Sequence, residues 1–507
     1  MNNEDLELFA QLRRLLSVPS KAHFGQLFPL LRRWQHHEHV LPYILAHLDS
    51  WEDHDRLASI RHVWPGRHPK QPPPTLRLVR HLQASYKSLD GQQARHVAQS
   101  PHLSSLIRLN LEASGLDPSH LQFFTHSPHL SSLKQLNLNN NPLGDRGLDV
   151  LFTDTTLHAL TQLSLRHCKL SAEGLASIAQ NPAFSSLEEL NVEDNRMGPE
   201  GAHQLATSPY LNRLTRLQLD GCHIRSHGME AISQAEHMGS LRTLQLAFNN
   251  IKDHGLIALT RSPHLTQINT LHIKCNRIGL DGVEALAHAR NMTQLTQLDL
   301  GLNPGIWDGA LEVLAFSPTM KRLQHLDVSG CHIGPDGLKA LAQSPHMSQL
   351  RSLSLAGCQI DAEALGTLLH SPHIKQLQRL YLTGCPLGDE GVFQLVNAPQ
   401  ARSLRTLSLD QCGLSDEGAW QLAHAANLSQ LQQFNVMQNE ISQEGHRILG
   451  TSPHLAPELR KKHLWNLRMD TLQQEARRRG LPVERHQHAL IELLAQTRSP
   501  LTEKSII

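Results

Sequence analysis

LTRLQLDGCHIRSHG, residues 214–228, repeats the pattern of LEELNVEDNRMGPEG at 187–201, LTQLSLRHCKLSAEG at 160–174 and LKQLNLNNNPLGDRG at 133–147. Each copy starts 27 residues after the last. The register runs back to Leu106 and forward through Leu241, Ile268 and Leu295, takes one extra residue, and resumes at Leu323, Leu350, Leu377, Leu404 and Leu431, giving 13 units. A degraded unit ahead of them keeps Val79, Leu82 and Leu89 in place and reads as a capping repeat.

Within a unit, L-x-x-L-x-L-x-x-(N/C)-x-(L/I) alternates with period two, the sign of a short strand with one buried face. A helix follows: in LKALAQSP, Leu338, Leu341 and Ala342 keep helical spacing, Asp336 suits the N-terminal end and Pro345 stops the next turn. One copy cannot bury its apolar face, so copies must stack. Strands about 4.8 Å apart on one side and wider helices on the other bend such a stack into a horseshoe. Composition agrees, because hydrophobic residues make 39% of the chain and aromatics only 4%, leaving leucine to fill the core. The 47 Lys+Arg nearly balance 46 Asp+Glu, so no global field points to nucleic acid or membrane. The N-terminus lacks the basic-then-apolar order of a signal peptide, and no apolar run approaches the roughly 18 residues of a membrane span. A soluble cytoplasmic protein is the expectation.

The unit resembles the leucine-rich repeats, most closely the ribonuclease-inhibitor-like class with a helix in every repeat. That resemblance covers about residues 79–456. It implies an α/β solenoid, a horseshoe with parallel strands on the concave face and helices outside, that binds a protein partner on the strand side. The domains expected are a helical N-terminal region over 1–75, the array over 76–456 and a basic tail over 457–507.

Residues 221–224 and 330–334 read GCHI and GCHIG, which raises the question of a metal site. The ninth position of successive units answers it: Ser114, Asn141, Cys168, Asn195, Cys222, Asn249, Asn276, Asn303, Cys331, Cys358, Cys385, Cys412 and Asn439. Six of the seven cysteines fill the slot otherwise held mainly by asparagine, where a buried polar side chain must satisfy backbone groups as the strand turns away. In the family this is the Asn/Cys ladder. Cys222 and Cys331 lie four units apart, roughly 19 Å at strand spacing, too far to share an ion. No metal and no cofactor is expected, and free thiols favour a reducing compartment. SPH recurs at 100–102, 127–129, 262–264, 344–346, 371–373 and 452–454, where proline ends the outer helix and histidine is read as a polar loop residue.

No GxSxG, phosphate loop, HExxH or CxxC is present, so no enzyme is expected. Glu189, Glu193, Asp194 and Asp220 read as a charged binding surface. The eighth position runs Asn140, His167, Asp194, Gly221, then Phe248, Cys275, Leu302, then Gly330, Gly357, Gly384. Phe248 and Leu302 thus supply an apolar stripe on a wet face, bordered by His272 and Lys274. The extra residue in NPGIWDG at 303–309 places Trp307 at the rim. These five residues are the expected protein-binding site; the alternative is that Phe248 covers its neighbour and Trp307 packs into the irregular turn.

QPPPT at 71–75 reads as a hinge into the array. Ahead of it, Leu41, Pro42, Leu45, Leu48 and Trp64 resemble an F-box, which would imply a ubiquitin-ligase substrate receptor. In the tail, Met469, Leu472, Ala476, Gly480, Leu481, Leu490, Ile491 and Leu494 have the spacing of the SAP motif, a helix-extension-helix DNA-binding module. Arg485, His486 and Gln487 stand where that motif carries glycine and lysines. The tail holds 10 Lys+Arg against 6 Asp+Glu. The resemblance implies DNA contact through Arg477, Arg478, Arg479 and Arg485; a hairpin that only caps the array is the other reading.

Overall fold

The computed structural model describes residues 3–34, 37–63, 72–86, 91–153, 156–484 and 486–497. The chain forms two compact units, one of residues 1–249 with 262–267 and the other of residues 250–261 with 268–507.

The first unit holds β1 (Leu57–Ser59), β2 (His81–Gln83), β3 (Arg108–Asn110), β4 (Gln135–Asn137), β5 (Gln162–Ser164), β6 (Glu189–Asn191), β7 (Arg216–Gln218) and β8 (Thr243–Gln245). They pair in parallel in chain order. The second unit does the same with β9 (Thr270–His272), β10 (Gln297–Asp299), β11 (His325–Asp327), β12 (Ser352–Ser354), β13 (Arg379–Tyr381), β14 (Thr406–Ser408) and β15 (Gln433–Asn435). Each array strand buries its central residue, Leu136, Leu190 and Leu353 among them, and most turn both neighbours outward, although His81, Thr243 and Ser408 are buried as well. β1 lies in the stretch read as helical: its parallel pairing with β2 extends the sheet into the N-terminal region. Leu41, Ile44 and Leu48 are buried in that region, while Trp64 of the F-box-like pattern lies outside the described residues.

Hydrogen-bond ladders tie each unit's repeats together. The spine residues from Ser114 to Cys412 are at most 2% exposed. Asn195 shows what an amide does there. Its Nδ2 donates to the carbonyls of Leu165 (2.9 Å), Val192 (2.8 Å) and Glu193 (3.1 Å), and its Oδ1 accepts from the N–H groups of Cys168 (3.1 Å) and Leu170 (2.9 Å). A thiol only donates, as Cys358 Sγ does to the Val328 carbonyl at 3.4 Å.

A second ladder runs on the helix side and rests on the serine of SPH and its equivalents. Ser208, Ser344 and Ser452 are buried and donate to the carbonyls of Ala179, Ala315 and Ala423 at 2.5, 2.6 and 2.6 Å. After Ser344 the proline opens a short 3-10 turn, Pro345–Met347, rather than merely ending a helix. A third ladder is carboxylate: Asp145 Oδ1 accepts the Ser171 N–H (2.8 Å) and Asp253 Oδ1 the Gly279 N–H (2.7 Å). That approach leaves no room for a side chain at Gly282, where a Cβ would stand 2.5 Å from the Asp253 carboxylate.

Among its described residues the tail folds as three helices, Pro457–Leu464, Met469–Arg478 and Gln487–Gln496. Leu464, Leu467, Leu472, Ala476, Leu490, Ile491, Leu494 and Ala495 form their core, with Met469 and Leu481 packed against it. Buried Glu475 fastens this hairpin to the last repeat by accepting from Arg447 (2.9 Å) and Arg479 (2.7 Å). Among the described residues no helix is long and apolar enough to cross a membrane.

Candidate protein-binding face

The backbone decides what the eighth position can present. It takes a left-handed conformation in repeat after repeat: φ is +58° at Asn140, +54° at Asp194, +58° at Phe248, +54° at Cys275, +52° at Leu302 and +65° at Gly330. Glycine, asparagine and aspartate tolerate this region, whereas a larger residue costs roughly 1–2 kcal/mol. Phe248 and Leu302 carry that cost and still hold their side chains in water, 53% and 43% exposed. At these exposed positions burial returns nothing against that strain.

The expected site residues fall in both units. Phe248 belongs to the first, while His272, Lys274, Leu302 and Trp307 belong to the second. Leu302 lies over the following turn, so that a Cβ on Gly330 would run into its side chain. Trp307 shares the loop between β10 and the helix Asp308–Ala315 with Leu302, caps that helix and is 59% exposed. Its backbone makes an isolated bridge to His332, which pins the loop. His272 lines a depression with Gln297, Asp299, His325, Asp327 and Tyr381. Burial pushes the Asp299 carboxyl up, the neighbouring Asp327 adding to the rise and His272 and Lys274 opposing it. The signal for the strained ridge was present in the sequence as glycine at this position in Gly221, Gly330, Gly357 and Gly384; the depression gave none.

The acidic patch is partly neutralised. Arg166 pairs with Asp194 at 2.8 Å and Arg216 with Glu189 at 3.6 Å. Burial disfavours the thiolate along the spine, pushing Cys168, Cys222, Cys331, Cys358 and Cys385 up to about 12 and Cys412 to about 11. Cys275, outside the spine, is partly exposed.

The expected row of phosphate contacts in the tail does not form as a row. Arg477 and Arg478 are exposed. Arg479 turns inward, its side chain 4% exposed, donating to Glu475 and to the carbonyls of Leu494 (3.3 Å) and Thr497 (3.1 Å). Helix phase explains the difference, since residue 479 stands one turn after Glu475, whose buried charge needs a partner, and beside a helix C-terminus whose carbonyls need donors. Arg485 lies outside the described residues.

Comparison with known proteins places the repeat. The family described as Leucine Rich repeat matches residues 129–152, 156–179, 185–206, 237–259, 263–287, 321–342, 373–396 and 400–423. Among solved structures, an internalin (inlF) from Listeria monocytogenes is similar at 20% identity over 72% of this chain and 92% of its own, with a TM-score of 0.46. The Rad7 and Elc1 complex in yeast gives 18% identity, 73% and 82% coverage and 0.45. The TLR13-ssRNA13 complex gives 19%, 75% and 62%, and 0.43. No curated protein matches the sequence. The 27-residue unit is a leucine-rich repeat, and the protein is a leucine-rich repeat protein.

Proposed function

We propose that this chain is a non-catalytic protein-interaction scaffold that holds a protein partner on its strand-lined side. Leu302 and Trp307 act as anchors on the second unit, with His272 and Lys274 as polar contacts, and Phe248 makes the same offer on the first. The observation that carries this reading is Leu302 itself, a leucine in left-handed backbone and open to water where the next three repeats use glycine. The replacement Leu302→Gly separates contact from folding, because glycine relieves the strain and should leave the melting temperature unchanged or higher. Combined with Trp307→Ala, it is expected to weaken capture of partners from native extract by at least about 2 kcal/mol. Undiminished capture by the folded double variant would place the grip elsewhere.

The C-terminal hairpin is read as a cap rather than as a DNA module. Buried Glu475, shared between Arg447 of the last repeat and Arg479 of the hairpin, supports this, since a separate DNA-reading module has no use for such an anchor. The full chain is expected not to shift labelled duplex DNA at about 50 mM salt. A shift lost on replacing Arg477 and Arg478 would restore the DNA reading.

A further inference from the structure

The strand face of the first unit carries a second cleft, distinct from the Leu302 loop, and its cations gather at one end. Lys21, His54, His81 and Arg108 line that end; Asn110, Asn137 and Asn191 line its course together with one carboxylate, Glu189, which Arg216 engages at 3.6 Å. Of the nearby carboxylates, Asp53 lies 3.7 Å from Arg80, and Glu52 and Asp55 lie 3.6 and 3.7 Å from His54, pairs that are ionic only when that imidazole is protonated. Among the described residues, neither Lys21 nor Arg108 has a carboxylate partner. His81 is 5% exposed, and its Nε2 is buried without a hydrogen-bond partner. Burial, with Arg108 next, holds this imidazole down to about 4, so it is neutral and two permanent cations face the cleft.

The amides beyond it are set to donate. Asn110, Asn137 and Asn191 each give their Oδ1 to a backbone N–H two residues on, at 2.9 Å in all three. Their NH2 groups make no hydrogen bond among the described residues, and all three side chains line the cleft. A surface of donors that ends in unpaired cations suits a ligand of acceptors that ends in an anion. From β2 to β7 the cleft crosses five strand intervals, about 24 Å, the length of roughly seven residues of extended chain.

We propose that this cleft binds an extended peptide segment of a protein partner, its backbone carbonyls on the asparagine amides and an acidic side chain or terminal carboxylate between Lys21, His81 and Arg108. The proposal rests on the scaffold reading and names the partner chemistry of a separate patch on the same side of the repeat.

The test uses the full-length chain to select from a displayed library of random ten-residue peptides, followed by fluorescence anisotropy with the selected sequences. Selected peptides should share an acidic position. Changing that residue to its amide, or replacing Arg108→Glu together with Lys21→Glu, should weaken binding at least tenfold. Both residues are exposed, so circular dichroism and melting should match the parent. Asn137→Ala gives a charge-neutral second variant with a smaller loss, and a lysine at the peptide's acidic position should recover affinity for the Arg108→Glu chain. Inorganic phosphate and acetate serve as free-anion probes and should compete only at millimolar concentration. An empty selection, peptides without a shared acidic position, acidic peptides indifferent to the charge reversal, or displacement by phosphate as tight as the peptide would each overturn the proposal. Peptides that ignore Arg108→Glu but are lost with Leu302→Gly and Trp307→Ala would overturn it while leaving the scaffold reading standing.

Discussion

Two stretches of the spine solve one problem differently. Where an asparagine follows, the ninth-position N–H of the repeat before it reaches forward to the amide: Ser114 to Asn141 (3.1 Å), Cys168 to Asn195 (3.1 Å), Asn276 to Asn303 (2.8 Å). Where a cysteine follows, as after Cys331, Cys358 and Cys385, that N–H folds back onto its own strand, to Val328 (3.2 Å), Leu355 (3.0 Å) and Leu382 (3.0 Å). The glycines before these three cysteines, with φ of +65°, +71° and +76°, let the turn close so tightly. An amide both donates to and accepts from the preceding repeat, while a thiol only donates to it, so the N–H groups there close within their own turn. The alternation of Asn and Cys is therefore a choice about where coupling resides, not a neutral exchange.

The sharpest way to break this contrast is to delete each kind of side chain. Asn195→Ala should cost about 3–5 kcal/mol, because it strands the buried N–H groups of Cys168 and Leu170 at roughly 1–3 kcal/mol each and discards three donated bonds. Cys358→Ala should cost only about 1 kcal/mol. Equal losses in chemical denaturation would show that the thiol carries hidden coupling. The next comparison sets polar slot against apolar core: Leu355→Ala opens a cavity worth about 2–5 kcal/mol, whereas Cys358→Asn should cost less, and thermal melts that rank them the other way would contradict the spine assignment.

Acid should distinguish the spine from the end of the array. Amides do not titrate and the spine thiols do so only near 11 or 12, so lowering the pH leaves the ladder alone. His463 is different. Burial, then His446 and Lys462, hold it down to about 3 from an ordinary 6.5. Its folded value is the depressed one, so the stabilisation is complete above about 6.5 and drains away as pH falls toward 3. His446, also lowered by burial, stacks on it at 5.7 Å, with Asp416 pulling His446 the other way. At pH 4.5 the loss should be on the order of 2 kcal/mol and local, at the last repeat and the cap and again around His81, the imidazole held down to about 4, read by hydrogen exchange. His463→Leu should abolish the loss at the cap; exchange rising uniformly along the array would refute the assignment. The smallest effect is chemical: native protein treated with iodoacetamide should label Cys275 and spare the six spine thiols until it unfolds.

Much of this architecture was legible because repetition averages out local noise. Thirteen copies fixed the strand centres and the spine slot, and helical spacing alone picked Leu472, Ala476, Leu490, Ile491 and Leu494 for the hairpin core. What stayed hidden depended on a partner rather than on a pattern. β1 has only Leu57, Ala58 and Ser59 to announce it and exists because β2 offers an edge. In SPH the histidine draws attention, yet the serine is the buried donor, and only the carbonyl waiting in the previous repeat reveals it. Arg477, Arg478 and Arg479 are identical in composition and differ only in helix phase, which sent one of them inside. The cleft at His81 has no local sequence signal, because Lys21 and Arg108 lie 87 residues apart and line one cleft only once the chain is folded.

The ladders have fixed offsets along the chain: 30 residues for Asn195 to Leu165, 29 for Ser208 to Ala179, 26 for Ser171 to Asp145. Around the extra residue the spine offset becomes 31, from Cys331 to Leu300, and the serine offset 30, from Ser317 to Ala287, while Gly334 to Asp308 keeps 26. The slip is thus absorbed between Asn303 and Asp308, ahead of the carboxylate. A network written as distances along the chain can be copied by duplicating any in-frame stretch of 27 residues, since each new segment arrives with its own donors and finds its acceptors already at the right separation. Tandem duplication can lengthen such a protein without redesigning a single contact, and among the 13 units the loop that carries Trp307 is where the frame shifts by one residue.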